Sequence, residues 1–379
     1  TPDPEDMCRR FAGLPQVAEV IARGETKTSI RVRSGMQVDL RAVKPESFGA
    51  AWQYFTGSQA HNVQLRARSE RRGKLKINEY GVFAEDGRRI AGETEADVYA
   101  AVGCAWIPPE LREGLGEIEA AAAGPLPELV REVDLRGDLH THSNWSDGRN
   151  TIDVMARAAQ ERGRTYIALT DHTQSLTIAG GLTPERFKAR SIEIDQVNGG
   201  LAGFRVLKGA EVDILPDGSL DLPDDCLASL ELVVASVHTA LDQPRDVITR
   251  RVIAALRSPH VDVFAHPTSR RLDRRGETSL DIDAVIAEAV RTGTVLEINS
   301  SPMRLDLNDG WARRAREAGA LLAIDTDAHY PVEYDSARFG CAIGRRAGLT
   351  ADQVLNTRDV AGVLAHCQAK GARATADFR

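Results

Sequence analysis

Two histidines one residue apart, His140 and His142, stand in the segment GDLHTHSNWSDG (137–148), which closes on Asp147 and a glycine. Residues two apart on a strand project from one face, so both imidazoles point the same way. The SNWSDG turn then returns Asp147 toward them. Imidazoles with a carboxylate make a metal donor set; taken alone, a His-x-His pair also fits a turn cap or a surface. Other apolar runs end the same way. TYIALTD (165–171) leads into His172, FRVLKGAEV (204–212) carries Glu211 near its end, and LELVVASVH (230–238) ends in His238. VDVFAH (261–266) ends in His266, and LLAIDTDAH (321–329) ends in Asp327 and His329. Six of the nine histidines therefore close an apolar run, whereas His61, His260 and His366 fall outside the pattern. Six imidazoles with Asp147, Glu211 and Asp327 suit two or three divalent cations, manganese or zinc foremost, with iron in the same class. Such ions lower the pKa of water toward neutrality and bind phosphoryl oxygens as charge builds in a displacement. Arg270, Arg271 and Arg304 follow run ends and are placed to hold a phosphate, or else are exposed loop arginines.

The elements that must position these groups follow from rhythm. With VDLRGDLH (133–140) and TVLEINS (294–300), seven short apolar runs alternate with amphipathic stretches such as TIDVMARAAQERG and DIDAVIAEAVRTG. That alternation predicts a parallel sheet covered by helices. Seven units approach the eight of a TIM barrel. Closing the sheet removes its edges and brings every C-terminal strand end to one mouth.

The stretch before residue 107 has a different character. TSIRVRSGMQVDLRAV (28–43) predicts a β-hairpin. Two helices broken at Thr56-Gly57 follow, then a short β segment at KINEYGVF and a helix at about 94–102. The segment at about 107–133 has four prolines and a Gly/Ala run, and reads as a partly helical linker. The net charge is −7, with the acidic surplus after residue 131. Against that, HNVQLRARSERRGKLKI (61–77) holds six basic residues and one glutamate, a patch that would steer phosphates or simply form a solvated helix face. The five scattered cysteines form no C-x-x-C pair, which predicts reduced thiols and a cytoplasmic protein. No apolar run is long enough to span a bilayer, so no membrane partner is expected. The start at Thr1 suggests a fragment or a processed end.

The motifs DLHTHSNWSDG, LTDH, GAEVDI, ASVH, FAHPTSR, LEINSSP and DTDAH, in order over about 134–345, resemble a PHP (polymerase and histidinol phosphatase) domain. The resemblance implies a distorted (β/α)7 TIM-like barrel that hydrolyses phosphate esters. It implies one ion held by His140, His142, Glu211 and Asp327 and a second held by Asp147, His172 and His329. A third would lie on His238 and His266 with Glu211 bridging. Ser269 stands where glycine is expected. The earlier region resembles the palm end and thumb of a bacterial family X DNA polymerase, through SGMQVDLRAV, WQYFTGSQAHNVQLRARSERRG and KINEYGVF. By that resemblance Asp39 is the third polymerase carboxylate, supported by Arg41, and its ion would be magnesium. Tyr54, Phe55 and Gly57 would lie beside an incoming deoxynucleotide's sugar, and Asn62 and Arg66 at the nascent base pair. Arg41, Arg66, Arg68, Arg71, Arg72, Lys74 and Lys76 would contact DNA. The Asp-x-Asp pair that should accompany Asp39 has no counterpart upstream of it; Asp3 and Glu5 lie in TPDPED with no strand to hold them. The chain is therefore expected to be a C-terminal piece that does not polymerise.

The expected organisation is a small α+β unit, with a palm remnant over 1–45 and a thumb over 46–110, then a linker over 111–133 and an α/β PHP barrel over 134–372. The expected function is metal-dependent hydrolysis of DNA phosphodiesters in a repair polymerase. It would act as a 3′–5′ exonuclease, with 3′-phosphatase or abasic-site endonuclease action as extensions, on gapped or 3′-ended duplex. Two alternatives are a small-molecule phosphomonoesterase of the histidinol-phosphatase type and a DNA-binding module with a silent metal centre.

Overall fold

The computed structural model describes residues 3–376 and divides the chain into two compact units, Thr1–Leu126 and Pro127–Arg379. Thr1, on which the expectation of a processed start rests, lies outside the described residues. The first unit opens with helix α1 (Pro4–Ala12), capped by Asp3, whose carboxylate accepts from Asp6 N at 2.8 Å. Asp3 and Glu5 are thus helix-start residues. Strands β1 (Val17–Arg23), β2 (Lys27–Val32) and β3 (Gln37–Arg41) form an antiparallel sheet in that order. The expected hairpin is β2–β3, with Ser29 paired to Asp39. Helices α2 (Phe48–Thr56) and α3 (Gln59–Gly73) follow, broken at Gly57, whose φ of 75° favours glycine. Ser58 caps α3 by accepting from His61 N. A small sheet of β4 (Lys76–Asn78), β5 (Gly81–Phe83) and β6 (Arg89–Ala91) precedes helix α4 (Glu95–Ala101).

The segment expected as a linker is packed over its first half. Helix α5 (Glu117–Ala123) puts Ile118 and Ala121 into the core formed by Leu65, Val82, Val98, Tyr99 and Ile107. Glu117 accepts from the buried ring of His61 at 2.6 Å, and the other ring nitrogen of His61 meets the Tyr99 hydroxyl at 2.9 Å. His61 is a buried structural histidine that ties α3 to α5.

The second unit contains strands β7 (Gly137–Thr141), β8 (Tyr166–Leu169), β9 (Arg205–Asp213), β10 (Leu232–Ser236), β11 (Val263–Phe264), β12 (Val295–Asn299) and β13 (Leu322–Asp325). They lie side by side in chain order in one seven-stranded parallel sheet. A parallel bridge between Thr141 and Ala328 joins its two ends into a distorted barrel. Helices α6 (Ile152–Glu161), α7 (Pro184–Gly200), α8 (Asp224–Leu227), α9 (Arg245–Leu256), α10 (Ile282–Thr292), α11 (Asp309–Glu317), α12 (Ala337–Arg346) and α13 (Val360–Ala376) complete the unit.

Strand alternation sorts the barrel into layers. Leu139, Ala168, Leu207, Val234, Val263, Val295 and Ala323 form one apolar cluster with Leu355 and Val363. Their strand neighbours Val233, Ala235, Phe264, Leu296 and Ile324 cluster instead with side chains of α9, α10 and α12. Farther along, Glu211 and Glu297 share those strand faces, and His238 and Asp327 follow just past the ends of β10 and β13. The inner face therefore changes from apolar to polar toward the C-terminal strand ends.

Candidate metal centre

All nine donors expected from the sequence meet in one cluster. Glu211, on β9 and 1% exposed, is its hub. Its Oε1 lies 3.0 Å from His266 Nε2 and 3.4 Å from His238 Nε2. Its Oε2 lies 2.9 Å from His172 Nδ1, 3.2 Å from His140 Nε2 and 3.6 Å from His142 Nε2. Asp327 Oδ1 is 3.1 Å from His142 Nε2 and 3.5 Å from His140 Nε2. Asp147, the most exposed member, lies 3.4 Å from His329 Nε2 and 3.6 Å from His172 Nε2.

The turn that delivers Asp147 depends on Gly148, since a Cβ there would fall 2.6 Å from Ser143 O. Asp327 and His266 sit just past β13 and β11 at φ of 56° and 29°, where the chain leaves strand geometry to aim their side chains inward. Ser269, at the expected glycine position, also has positive φ, 52°; its hydroxyl donates to Val237 O at 3.2 Å.

The donor atoms fall into four overlapping sets: His142 with Asp147, His172 and His329; His140 with His142 and Asp327; His140 with Glu211 and His266; and His172 with Glu211 and His238. The two oxygens of Glu211 face different histidines, as a bridging carboxylate requires. His140, His142, His172 and Glu211 are each shared by two sets. Buried donor atoms His140 Nε2, His142 Nδ1, His172 Nδ1 and Glu211 Oε2 have no hydrogen bond of proper geometry. Unsatisfied buried polar atoms are costly unless something else fills them. Converging lone pairs of mixed N/O type fit divalent transition ions.

Charge arrangement favours the same reading. Burial opposes protonation of His140, but Glu211, Asp327 and Glu297 outweigh it and hold its pKa well above the histidine range. Burial likewise opposes, and Glu211 and Asp147 overcome, so His172 rises to about 10. His329 rises to about 9 against burial, through Asp147 and Asp327. Burial with the neighbouring His329 and His172 lowers His142 to about 4. Burial disfavours the Glu211 carboxylate, yet His172, His140 and His238 keep it ionised well below its usual range. The carboxylates thus favour positive charge at His140, His172 and His329, among the positions where cations would stand.

Three residues that the sequence reading did not single out support the donors. Glu297 is fully buried and accepts from His140 Nδ1 (2.7 Å), His266 N (2.6 Å) and Asn299 Nδ2 (3.2 Å). Asn299 Nδ2 also reaches Asp327 Oδ2 at 3.2 Å. Asp213 accepts from His238 Nδ1 at 2.9 Å. The sequence places each two residues along a strand from a donor or from another supporting residue, on the same face, but does not show which donor it meets.

A cavity of about 440 Å³ opens over the cluster, lined among others by Arg149, Arg271, Arg304, Tyr330 and Glu333. Arg304 approaches Asp327 at 3.5 Å. Arg270 donates from Nε to Arg304 O at 2.8 Å and from Nη2 to Leu305 O, carbonyls of the loop after β12. Arg149 was missed; it stacks over the Tyr330 ring at 5.0 Å.

In the first unit, Asp39 is exposed on β3, and hydrogen bonds from Ser29 and Gln37 lower its pKa. Among the described residues, no set of three metal-binding side chains includes it. Arg41 lies over the Phe55 ring at 4.9 Å and 3.8 Å from Glu79. Asn62 bonds Tyr54 O and Gln53, both at 2.8 Å. Arg66, Arg71, Arg72 and Lys76 are exposed, and Lys74 is 3.4 Å from Glu85. Arg68 is only half-exposed, and its guanidinium donates to Val102 O (3.1 Å) and Gly103 O (3.2 Å).

The DNA polymerase beta thumb family matches residues 51–113, and the PHP domain family matches residues 138–301. A "Probable phosphatase" of Thermoanaerobacter sp. (strain X514) is 34% identical over 233 residues, covering 58% of this chain and 89% of its own length. The chain belongs to the PHP family. "DNA polymerase/3'-5' exonuclease PolX" of Bacillus subtilis (strain 168) is 41% identical over 366 residues, 96% of this chain. The chain spans 64% of that relative's length. A thumb followed by a PHP domain is the arrangement of the C-terminal region of a bacterial family X DNA polymerase, and this chain has it. A solved histidinol phosphate phosphatase of Lactococcus lactis aligns at 16% identity with a TM-score of 0.42, over 57% of this chain and 94% of its own. The PHP domain carries the donor set of a metal-dependent hydrolase, with room for two or three divalent ions.

Proposed function

We propose that the PHP domain hydrolyses DNA phosphodiesters from the 3′ end, using two or three manganese or zinc ions held by His140, His142, Asp147, His172, Glu211, His238, His266, Asp327 and His329. The observation that carries this reading is the coexistence, in one chain, of that full donor cluster with a thumb-type unit whose α3 exposes Arg66, Arg71 and Arg72. Bound ions would supply charge neutralisation at phosphate and a more acidic water. Arg271 and Arg304 hold the phosphate at the cavity wall. Glu297 and Asp213 fix the rings of His140 and His238 so that each turns its Nε2 to the centre. In the reaction, water oxygen joins phosphorus as the bond to the preceding sugar's 3′ oxygen breaks. A 5′-mononucleotide and a new 3′ hydroxyl result. The DNA would be a gapped or 3′-ended duplex. Templated extension with deoxynucleotides and magnesium is not expected of this chain, since among the described residues no set of three metal-binding side chains includes Asp39. The buried free cysteines fit a cytoplasmic setting.

The phosphatase relatives, aligned over little more than the PHP domain's length, favour a second reading, phosphomonoester hydrolysis on a small molecule. One experiment separates the two. The chain is stripped with chelator, reloaded with Mn²⁺ or Zn²⁺, and given a 3′-labelled oligonucleotide and a small phosphate monoester. Metal-dependent release of mononucleotides supports the nuclease; turnover of the monoester alone overturns it in favour of the phosphatase. Loss of both in a folded His142→Ala variant rules out a silent centre.

A further inference from the structure

The cavity over the donors has a second chemistry that hydrolysis alone does not use. Its edge includes Leu176, Ile178 and Met303. Ile178 is 94% exposed and Met303 46%. They lie on the loops that leave β8 and β12, and the strand order places those strands across the ring from each other.

Both loops are braced. Ala179 N and Gly181 N donate to Leu176 O at 3.1 and 3.3 Å, Leu182 N donates to His172 O at 2.8 Å, and Arg186 donates to Gly180 O at 2.8 Å. A Cβ on Gly181 would fall 1.9 Å from Thr173 O, so the turn packs directly on the strand end. Opposite it, Met303 O accepts from Leu272 N at 2.8 Å, and Arg271 Nη2 reaches Met303 Sδ at 3.3 Å.

Single exposed aliphatic side chains are ordinary. Two of them on braced loops, facing across a mouth floored by imidazoles and guanidinium groups, form a receptor with a polar floor and apolar jaws. A nucleotide has the matching division, with phosphate at one end and a flat, weakly solvated base at the other. A cavity of about 440 Å³ is of the size that holds such a ligand.

We propose that Ile178 and Met303 clamp the terminal nucleobase of the strand being hydrolysed, while Arg271 and Arg304 hold its phosphate. This inference rests on the nuclease reading above. A base held between the jaws has left its stack, so the clamp favours frayed or single-stranded ends. It acts on any base, because each offers a face.

The test uses the full chain loaded with Mn²⁺ and two single-stranded oligonucleotides, identical except that one ends in thymidine and the other in a base-free tetrahydrofuran residue. The wild type should show a KM roughly tenfold lower for the thymidine end, the range expected from stacking on one base. In the Ile178→Ser/Met303→Ser double variant that preference should fall to within about twofold of unity. Metal content and circular dichroism report whether the double variant is intact. If it is not, the single variants carry the test, each expected to cut the preference about threefold. A wild type that does not distinguish the two ends, or an intact variant that keeps the preference, overturns the clamp alone. A wild type that cleaves neither end overturns the nuclease reading and the clamp with it.

Discussion

His140, the amide of His266 and the side chain of Asn299 all donate to the carboxylate of Glu297, which belongs to none of the donor sets. Removing it frees the His140 ring and the chain at His266 together. Glu297→Ala should therefore weaken Mn²⁺ binding roughly 10- to 100-fold, measured by competition with a chromogenic chelator. Glu297→Gln, which keeps the acceptor oxygen, should lose less, and equal losses would contradict a positioning role. The same carboxylate-rich environment sets a pH dependence. In the ion-free protein His172 and His329 are raised to about 10 and about 9, both above the ordinary 6.5. The stability this brings is full below pH 6.5 and is lost as pH rises through 9–10. Ions must displace those protons, so Mn²⁺ affinity should climb between pH 6 and 9, with protons released on binding. Calorimetry in buffers of differing ionisation enthalpy measures the release, and a pH-independent affinity would refute it. At this scale the sequence was legible where a donor closed an apolar run. Glu297 and Asp213 were not legible as partners, because a carboxylate inside a strand shows its contact only once the barrel closes.

The seam between β7 and β13 is where the barrel closes, and side chains do much of the joining. Asp138 on β7 accepts from Thr326 N at 3.2 Å and from its hydroxyl at 2.5 Å. Asp325 on β13 accepts from Leu139 N at 2.7 Å and from Asn356 at 3.2 Å. Burial raises Asp138 to about 6, and burial with the neighbouring Asp138 raises Asp325 well above its usual range. Raised carboxyls stabilise fully below about pH 3.8 and lose that contribution as pH passes their folded values, here near 6 for Asp138. Asp325→Asn removes the like charge and should flatten the fall in Tm between pH 5 and 7. Asp325→Ala leaves the Leu139 amide unpaired and should cost roughly 1–3 kcal/mol at neutral pH. Equal stability of the two variants in urea unfolding would contradict the seam. The seven strands were readable because their apolar runs and turns repeat. Strand β1 was missed because it is almost wholly exposed and shows no buried face. Helix α5 was taken for linker because its Ala/Gly composition hides an anchor, the Glu117–His61 bond, between residues 56 apart in sequence.

At the scale of the molecule, the two units differ in charge. The acidic surplus lies in the C-terminal part, which holds the donor carboxylates, while α3 exposes Arg66, Arg71 and Arg72 and the start of β4 exposes Lys76. Composition revealed that patch but could not say which of its members were free. Arg68 bonds the carbonyls of Val102 and Gly103, and Lys74 faces Glu85. The exposed basic patch makes a prediction of its own. If this patch grips the phosphate backbone, replacing Arg66, Arg71, Arg72 and Lys76 with alanine should weaken DNA binding. It should also lower the slope of log affinity against log salt by about three to four, since each phosphate contact contributes about 0.9. Arg68→Ala should leave that slope nearly unchanged and lower thermal stability instead. Metal content should be the same throughout, because no donor is altered. Fluorescence anisotropy of a labelled duplex between 50 and 200 mM salt, a range over which such contacts are strongly screened, reads the slope. A fourfold variant with the wild-type slope would mean that the basic residues of α3 and β4 only solvate the surface, and that DNA reaches the PHP domain by another face.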